Sequence, residues 1–158
     1  MDAKLEIVGI DLVASSSTPD PKLTCLRFIE GSLTDWQPSG RFDLITCVHG
    51  LHYIGDKLGL ITRAASWLTD NGQFVANLDM KNIRFADGRS ASRVVARELR
   101  RNGLNYDSRK KLLCCSGRTL MRLPFRYLGA DDQAGPNYTK QPAVDSYYVP
   151  LDDKHASD

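Results

Sequence analysis

The chain contains no GxG, no CxxC pair and no apolar run long enough to cross a bilayer. The first absence removes the glycine-rich fingerprint with which a strand–turn–helix cradles a dinucleotide pyrophosphate. The second leaves Cys25, Cys47, Cys114 and Cys115 without zinc spacing. His49 lies close to Cys47, but two possible ligands do not make a site, so no metal is expected. Charge of one sign is also scarce: a net value of +2 gives no field that would by itself select an acidic partner. There is no internal repeat, no low-complexity segment and no basic-then-apolar opening of the signal-peptide kind. Together with the cysteine usage, this points to a reducing cytoplasm.

What is present suits one domain with a real core, since 42% of 158 residues are apolar. The expected extent is residues 5–150, followed by a polar tail at 151–158 that frays. Residues 41–78, RFDLITCVHGLHYIGDKLGLITRAASWLTDNGQFVANL, organise the rest. Residues 42–48 form an apolar run of the kind a strand buried on both faces shows. Asp56 can cap a helix in which Leu58, Ile61, Ala65 and Leu68 recur at helical spacing. Asn71-Gly72 can end that helix, and residues 73–78 resume the apolar run, which completes one βαβ crossover.

Around this unit, residues 5–11 (LEIVGID) and 23–30 (LTCLRFIE) read as strands, separated by the loop VASSSTPDPK with at most one helical turn. Residues 80–89 read as loop. Ser90 can open a helix through Asn102, with Val94, Val95 and Leu99 as its apolar stripe and Gly103 closing it. Residues 110–115 and 119–128 suggest an antiparallel pair joined at Ser116-Gly117, with Pro124 favouring an edge. The turn-rich stretch that follows holds Tyr138, Tyr147 and Tyr148, which could roof a pocket or cap a sheet edge.

In order and spacing, IVGID, FIEGSLTDW, FDLITCVHGLHYIGD and LTDNGQFVANLD resemble the second to fifth strand motifs of class I S-adenosylmethionine-dependent methyltransferases. The basic helix and antiparallel pair after them resemble that family's sixth and seventh strands. The resemblance spans roughly residues 5–128. It implies an α/β fold: a Rossmann-like, mostly parallel sheet ending in an antiparallel strand pair. It also implies S-adenosylmethionine as cofactor. The family's central first strand and glycine-rich loop have no counterpart, so the chain reads as the C-terminal part of such an enzyme. Direct pairing of residues 5–11 with residues 42–48 is then expected across the gap. A partner chain or an upstream segment completing the site is the other possibility.

The same resemblance implies roles for particular residues. Asp11, at the end of its strand, would accept hydrogen bonds from both ribose hydroxyls of the cofactor, as a carboxylate's two oxygens allow. Ser32 falls where the family has an acid facing the adenine amino group, and the Leu33 backbone N–H would reach a ring nitrogen. Cys47 closes the fourth strand motif beside the cofactor. His49, on the lip after that strand, is the candidate catalytic base; His52 is better read as packed. The (D/N/S)PP(Y/F) tetrad of amino-directed enzymes is replaced by Cys47-Val48-His49-Gly50, which favours a small-molecule methyl acceptor over nucleic acid. Arg89, Arg93, Arg97, Arg100 and Arg101 could meet phosphates or an acidic metabolite, although a solvated helix face is the commoner meaning of such a stripe. Two other function classes fit less well. One is a non-catalytic or degenerate binding module; the other is a nicotinamide-dependent oxidoreductase, which the missing GxGxxG disfavours.

Overall fold

A computed structural model describes residues 5–12, 20–136, 140 and 142–151. Residues 13–19 of the serine-rich loop, Tyr138 and the tail at 152–158 lie outside the described residues. The chain divides into two compact units, Met1–Ser39 and Gly40–Asp158.

The first unit holds two parallel strands, β1 (Ile7–Asp11) and β2 (Leu26–Glu30), in a register running from Ile7↔Leu26 to Asp11↔Glu30. Gly9 lies opposite Phe28, and a Cβ on Gly9 would come 2.6 Å from the ring. Only glycine lets the aromatic cross the neighbouring backbone there. None of the unit's described residues is buried, and Phe28 itself is 52% exposed.

The second unit contains the buried core. Its β3 (Phe42–Cys47), helix α1 (Lys57–Ser66) and β4 (Leu68–Asn77) form the expected crossover, with β3 parallel to β4. The Asp56 carboxylate caps α1 by accepting from the Gly59 N–H at 2.9 Å. Leu58, Ile61 and Ala65 are buried on the face that the periodicity picks out. The helix ends earlier than expected, at Ser66, because Trp67 turns into the sheet: the Phe42 N–H donates to the Trp67 carbonyl at 2.9 Å and Leu68 pairs with Phe42. The Asn71-Gly72 dipeptide instead lies inside β4, where the register shifts between Phe42↔Leu68 and Leu44↔Gln73.

Beyond β4 come a helical turn at Met80–Asn82, β5 (Ile83–Phe85) and α2 (Ser92–Arg101). Then follow β6 (Asn105–Asp107), β7 (Leu112–Ser116), β8 (Phe125–Asp131) and β9 (Asp145–Pro150). One sheet has the order β3-β4-β7-β6 and another β5-β9-β8. Val95 and Leu99 of α2 are fully buried, and Gly103, at φ 84°, closes that helix in the left-handed region.

A mostly parallel Rossmann-like sheet is therefore not what forms. Strands predominate, and parallel ladders (β1–β2, β3–β4, β5–β9) are matched by antiparallel ones (β4–β7, β6–β7, β8–β9). Among the described residues only α1 acts as a crossover helix between adjacent parallel strands, so the βαβ pattern does not repeat. The predicted hairpin at Ser116-Gly117 also fails. Residues 117–119 are bonded elsewhere: the Gly117 N–H donates to the Gly72 carbonyl at 2.8 Å and the Thr119 N–H to the Ala65 carbonyl at 3.1 Å. β7 consequently pairs with β4 and β6, whereas β8 starts only after Pro124 and pairs with β9. Nor do residues 5–11 pair with residues 42–48, since β1 and β3 belong to different sheets. β3 ends its sheet rather than lying inside one, and Leu44 on it is 59% exposed.

The packing at Gly72 is directly testable. A Cβ there would meet the Phe42 carbonyl oxygen at 2.6 Å, while one on Gly31 would meet nothing within 4 Å. Gly72→Ala is expected to cost about 1–3 kcal/mol in urea denaturation, and Gly31→Ala within about 0.5 kcal/mol of zero.

Candidate functional site

The residues singled out from sequence fall into two groups, one in each unit. In the first unit, Asp11 is the last residue of β1 and is exposed. Its carbonyl accepts from the Gly31 N–H at 2.8 Å, which draws the loop carrying Ser32 and Leu33 onto the carboxyl ends of β1 and β2. Ser32 is engaged locally. Its Oγ bonds to the Thr34 hydroxyl and accepts from the Thr34 N–H at 3.1 Å. That serine therefore helps to build the turn.

In the second unit, Cys47 ends β3 and His49 follows it in the left-handed region at φ 60°, leading into a tight turn at Gly50–His52. A residue other than glycine in that region is held there by its surroundings, and such strain concentrates at functional turns. The His49 and His52 rings stack with centroids 5.7 Å apart. His52 is fully buried. Burial first, then the charge of His49, lowers its pKa, while the Asp79 carboxylate pulls the other way. Burial raises the Cys47 thiol pKa, so it stays protonated and is no nucleophile.

Asp79 stands just beyond β4, so His49, His52 and Asp79 share the carboxyl-end rim of the parallel β3–β4 pair. Ligands bind at this end of parallel strands. Asp79 is 2% exposed and lies 3.5 Å from the Lys111 ammonium and 3.8 Å from that of Lys81.

Behind the rim is a buried polar assembly centred on Lys57. Its Nζ donates to the Ile54 carbonyl (2.9 Å), the Val144 carbonyl (2.8 Å) and the Ser146 hydroxyl (2.8 Å). Burial lowers its pKa to about 8, with Asp145 opposing the shift. Asp145 in turn accepts from Asn82 Nδ2 at 2.9 Å and pairs with Arg84 Nε at 2.7 Å. The buried Tyr148 hydroxyl donates to Asp56 Oδ1 and accepts from the Leu58 N–H, both at 3.1 Å.

No protein-family model matches the chain, and no curated protein matches it. Its function has to be argued from these groups alone.

Sequence reasoning found Asp56 but missed Lys57, Asp79, Asp145 and Ser146. A lysine at the head of an apolar helix could have signalled a buried ammonium. Nothing in the turn-rich stretch near residue 144 announced its acceptors. Among the described residues no group of acidic, histidine and cysteine side chains could hold a metal.

Because the folded pKa of Lys57 lies below its ordinary 10.5, the unfolded chain binds more protons between about pH 8 and pH 10.5. The Lys57 contribution to stability is therefore expected to rise with pH through that window, by on the order of 3 kcal/mol. Subtracting the profile of Lys57→Met isolates it, because Tyr127 and Tyr148, whose hydroxyl pKa values are raised by burial, remain in both proteins. A flat difference would contradict the buried ammonium.

Proposed function

We propose that the chain is part of an S-adenosylmethionine-dependent methyltransferase acting on a small molecule. The observation that carries this reading is the Gly31 N–H bond to the Asp11 carbonyl at 2.8 Å. It sets an exposed carboxylate and the Ser32–Leu33 backbone on one rim of a parallel strand pair, with the groups needed for an adenosine: a two-oxygen acceptor for the ribose diol and backbone for the base.

The second unit supports the reading independently. Cys47 and His49 leave the carboxyl end of β3, which a single helix joins to the parallel β4, and antiparallel β7 lies between β4 and β6. An open concavity of about 410 Å³, lined in part by Tyr53, Pro136, Pro142 and Val144, adjoins the His52 turn through the Val144 N–H to His52 carbonyl bond. That volume suits a small acceptor. Leu44 and Val48, both exposed, are where a further strand or a partner chain would add.

S-adenosylmethionine, when bound, supplies an electrophilic methyl group. The protein's task is to hold donor and acceptor in line. Within the first unit, Asp11 would fix the ribose and Leu33 the adenine. His49 would take a proton from the acceptor, and the neutral, buried His52 stacked on it would fix its ring.

Without a glycine-rich loop to hold the methionine half, binding is expected to be weak, within reach of ligand-observed saturation-transfer NMR using S-adenosylhomocysteine. Asp11→Ala should lose roughly 1.5–3 kcal/mol, as expected for a charged acceptor. An unchanged signal in that variant removes Asp11 from the site, and micromolar affinity insensitive to Asp11 overturns the assignment.

A further inference from the structure

We propose that the outer face of α2 binds the phosphate backbone of a nucleic-acid duplex. The inference goes beyond the methyl-transfer reading and does not rest on it. Arg93, Arg97, Arg100 and Arg101 are all exposed, while Val95 and Leu99 on the opposite face are fully buried. At 100° per residue, Arg93, Arg97 and Arg100 fall within about 60° of one another, with Arg101 beside them. They form a cationic ridge about 12 Å long from first to last.

The acids that would neutralise the ridge are few and already engaged. Glu98, the only acid on α2, pairs with Arg97 at 3.4 Å and Arg101 at 2.9 Å. Asp87 pairs with Arg89 at 2.6 Å, and the Asp107 carboxylate accepts the backbone N–H groups of Arg109 and Lys110. Among the described residues Arg93 and Arg100 have no ion pair, so two guanidinium groups stand open.

Charge continues at the head of the ridge, where Leu78, close to Met80 in the chain, donates its N–H to the Lys111 carbonyl at 2.8 Å. The Ser92 hydroxyl at the head of α2 donates to the Met80 carbonyl at 2.9 Å, next to Lys81, and β6 returns from α2 to a turn bearing Arg109 and Lys110. The chemistry favours phosphate over other anions. Every cation on the helix is arginine, whose planar fork grips phosphate bidentately. A ridge of this length spans several phosphates, where a single metabolite would need one or two of these groups. A lipid surface fits poorly, because none of the exposed large apolar side chains lies on α2. No aromatic residue lies on the helix to stack an unpaired base, so recognition is of the backbone alone and a duplex, with its denser charge, is favoured.

The test is fluorescence anisotropy with a labelled mixed-sequence duplex across a salt series. Binding is expected with a log–log salt slope of roughly −3, and Arg93→Gln with Arg100→Gln should make that slope shallower by roughly 2. Glutamine keeps helix propensity, and circular dichroism checks that the fold persists. A control pair on another exposed surface, Arg122→Gln with Arg126→Gln, should leave the slope unchanged. The proposal is overturned by absent binding at low salt, by an unchanged slope in the α2 variant, or by equal loss in the control pair. It is equally overturned if polyglutamate competes as well as the duplex, or if anionic lipid vesicles bind and the duplex does not.

Discussion

The ammonium of Lys57 heads helix α1 and takes its three acceptors from Ile54, Val144 and Ser146, so the start of one helix is fastened to a strand nearly ninety residues later in the chain. A buried ammonium is tolerated only when each of its protons finds an oxygen. The helix N-terminus, itself a region of positive potential, makes the location costlier still. What compensates is the surrounding geometry: Asp145 supplies opposite charge, and the Tyr148 hydroxyl bridges the Asp56 carboxylate to the Leu58 N–H. Through these few bonds the β3-β4-β7-β6 sheet, by way of its crossover helix, is tied to the β5-β9-β8 sheet.

That fastening also shapes the rim at the carboxyl ends of β3 and β4. The turn holding His49 and His52 leads directly to Lys57, and the His52 carbonyl accepts from the same Val144 whose own carbonyl receives the lysine. A shift of β9 would therefore be felt at the histidines. The low exposure and depressed pKa of His52 make it a packed, neutral ring, and His49, stacked on it, is half-buried. The first unit contrasts with this: its strands are open to solvent, and its candidate residues stand on a rim without a dry core beneath them.

The crossover was legible because its signals are local. Asp56 caps, Leu58, Ile61 and Ala65 repeat at helical spacing, and two apolar runs flank them. Of Arg89, Arg93, Arg97 and Arg100, which spacing alone groups on one helix face, the last three lie on α2 and Arg89 precedes it. The hairpin at Ser116-Gly117 looked just as local and was wrong, because a glycine with positive φ serves equally well where a strand leaves its sheet. There the hydrogen bonds from Gly117 to Gly72 and from Thr119 to Ala65 took precedence over the turn. Ser32, read as a base contact, also makes bonds within its own turn to Thr34, which no motif announced.

By itself the sequence determined the parallel β3–α1–β4 unit and the apolar faces of both helices. Capping, periodicity and turn chemistry act over a few residues and are written in consecutive positions. Only the tertiary structure decided which strands pair across the sheets, that β8 finds β9 and not β7, and that Lys57 is buried under the influence of Asp145. Each of those outcomes is set by partners far apart in the chain, where one side chain's burial depends on acceptors that no local pattern predicts.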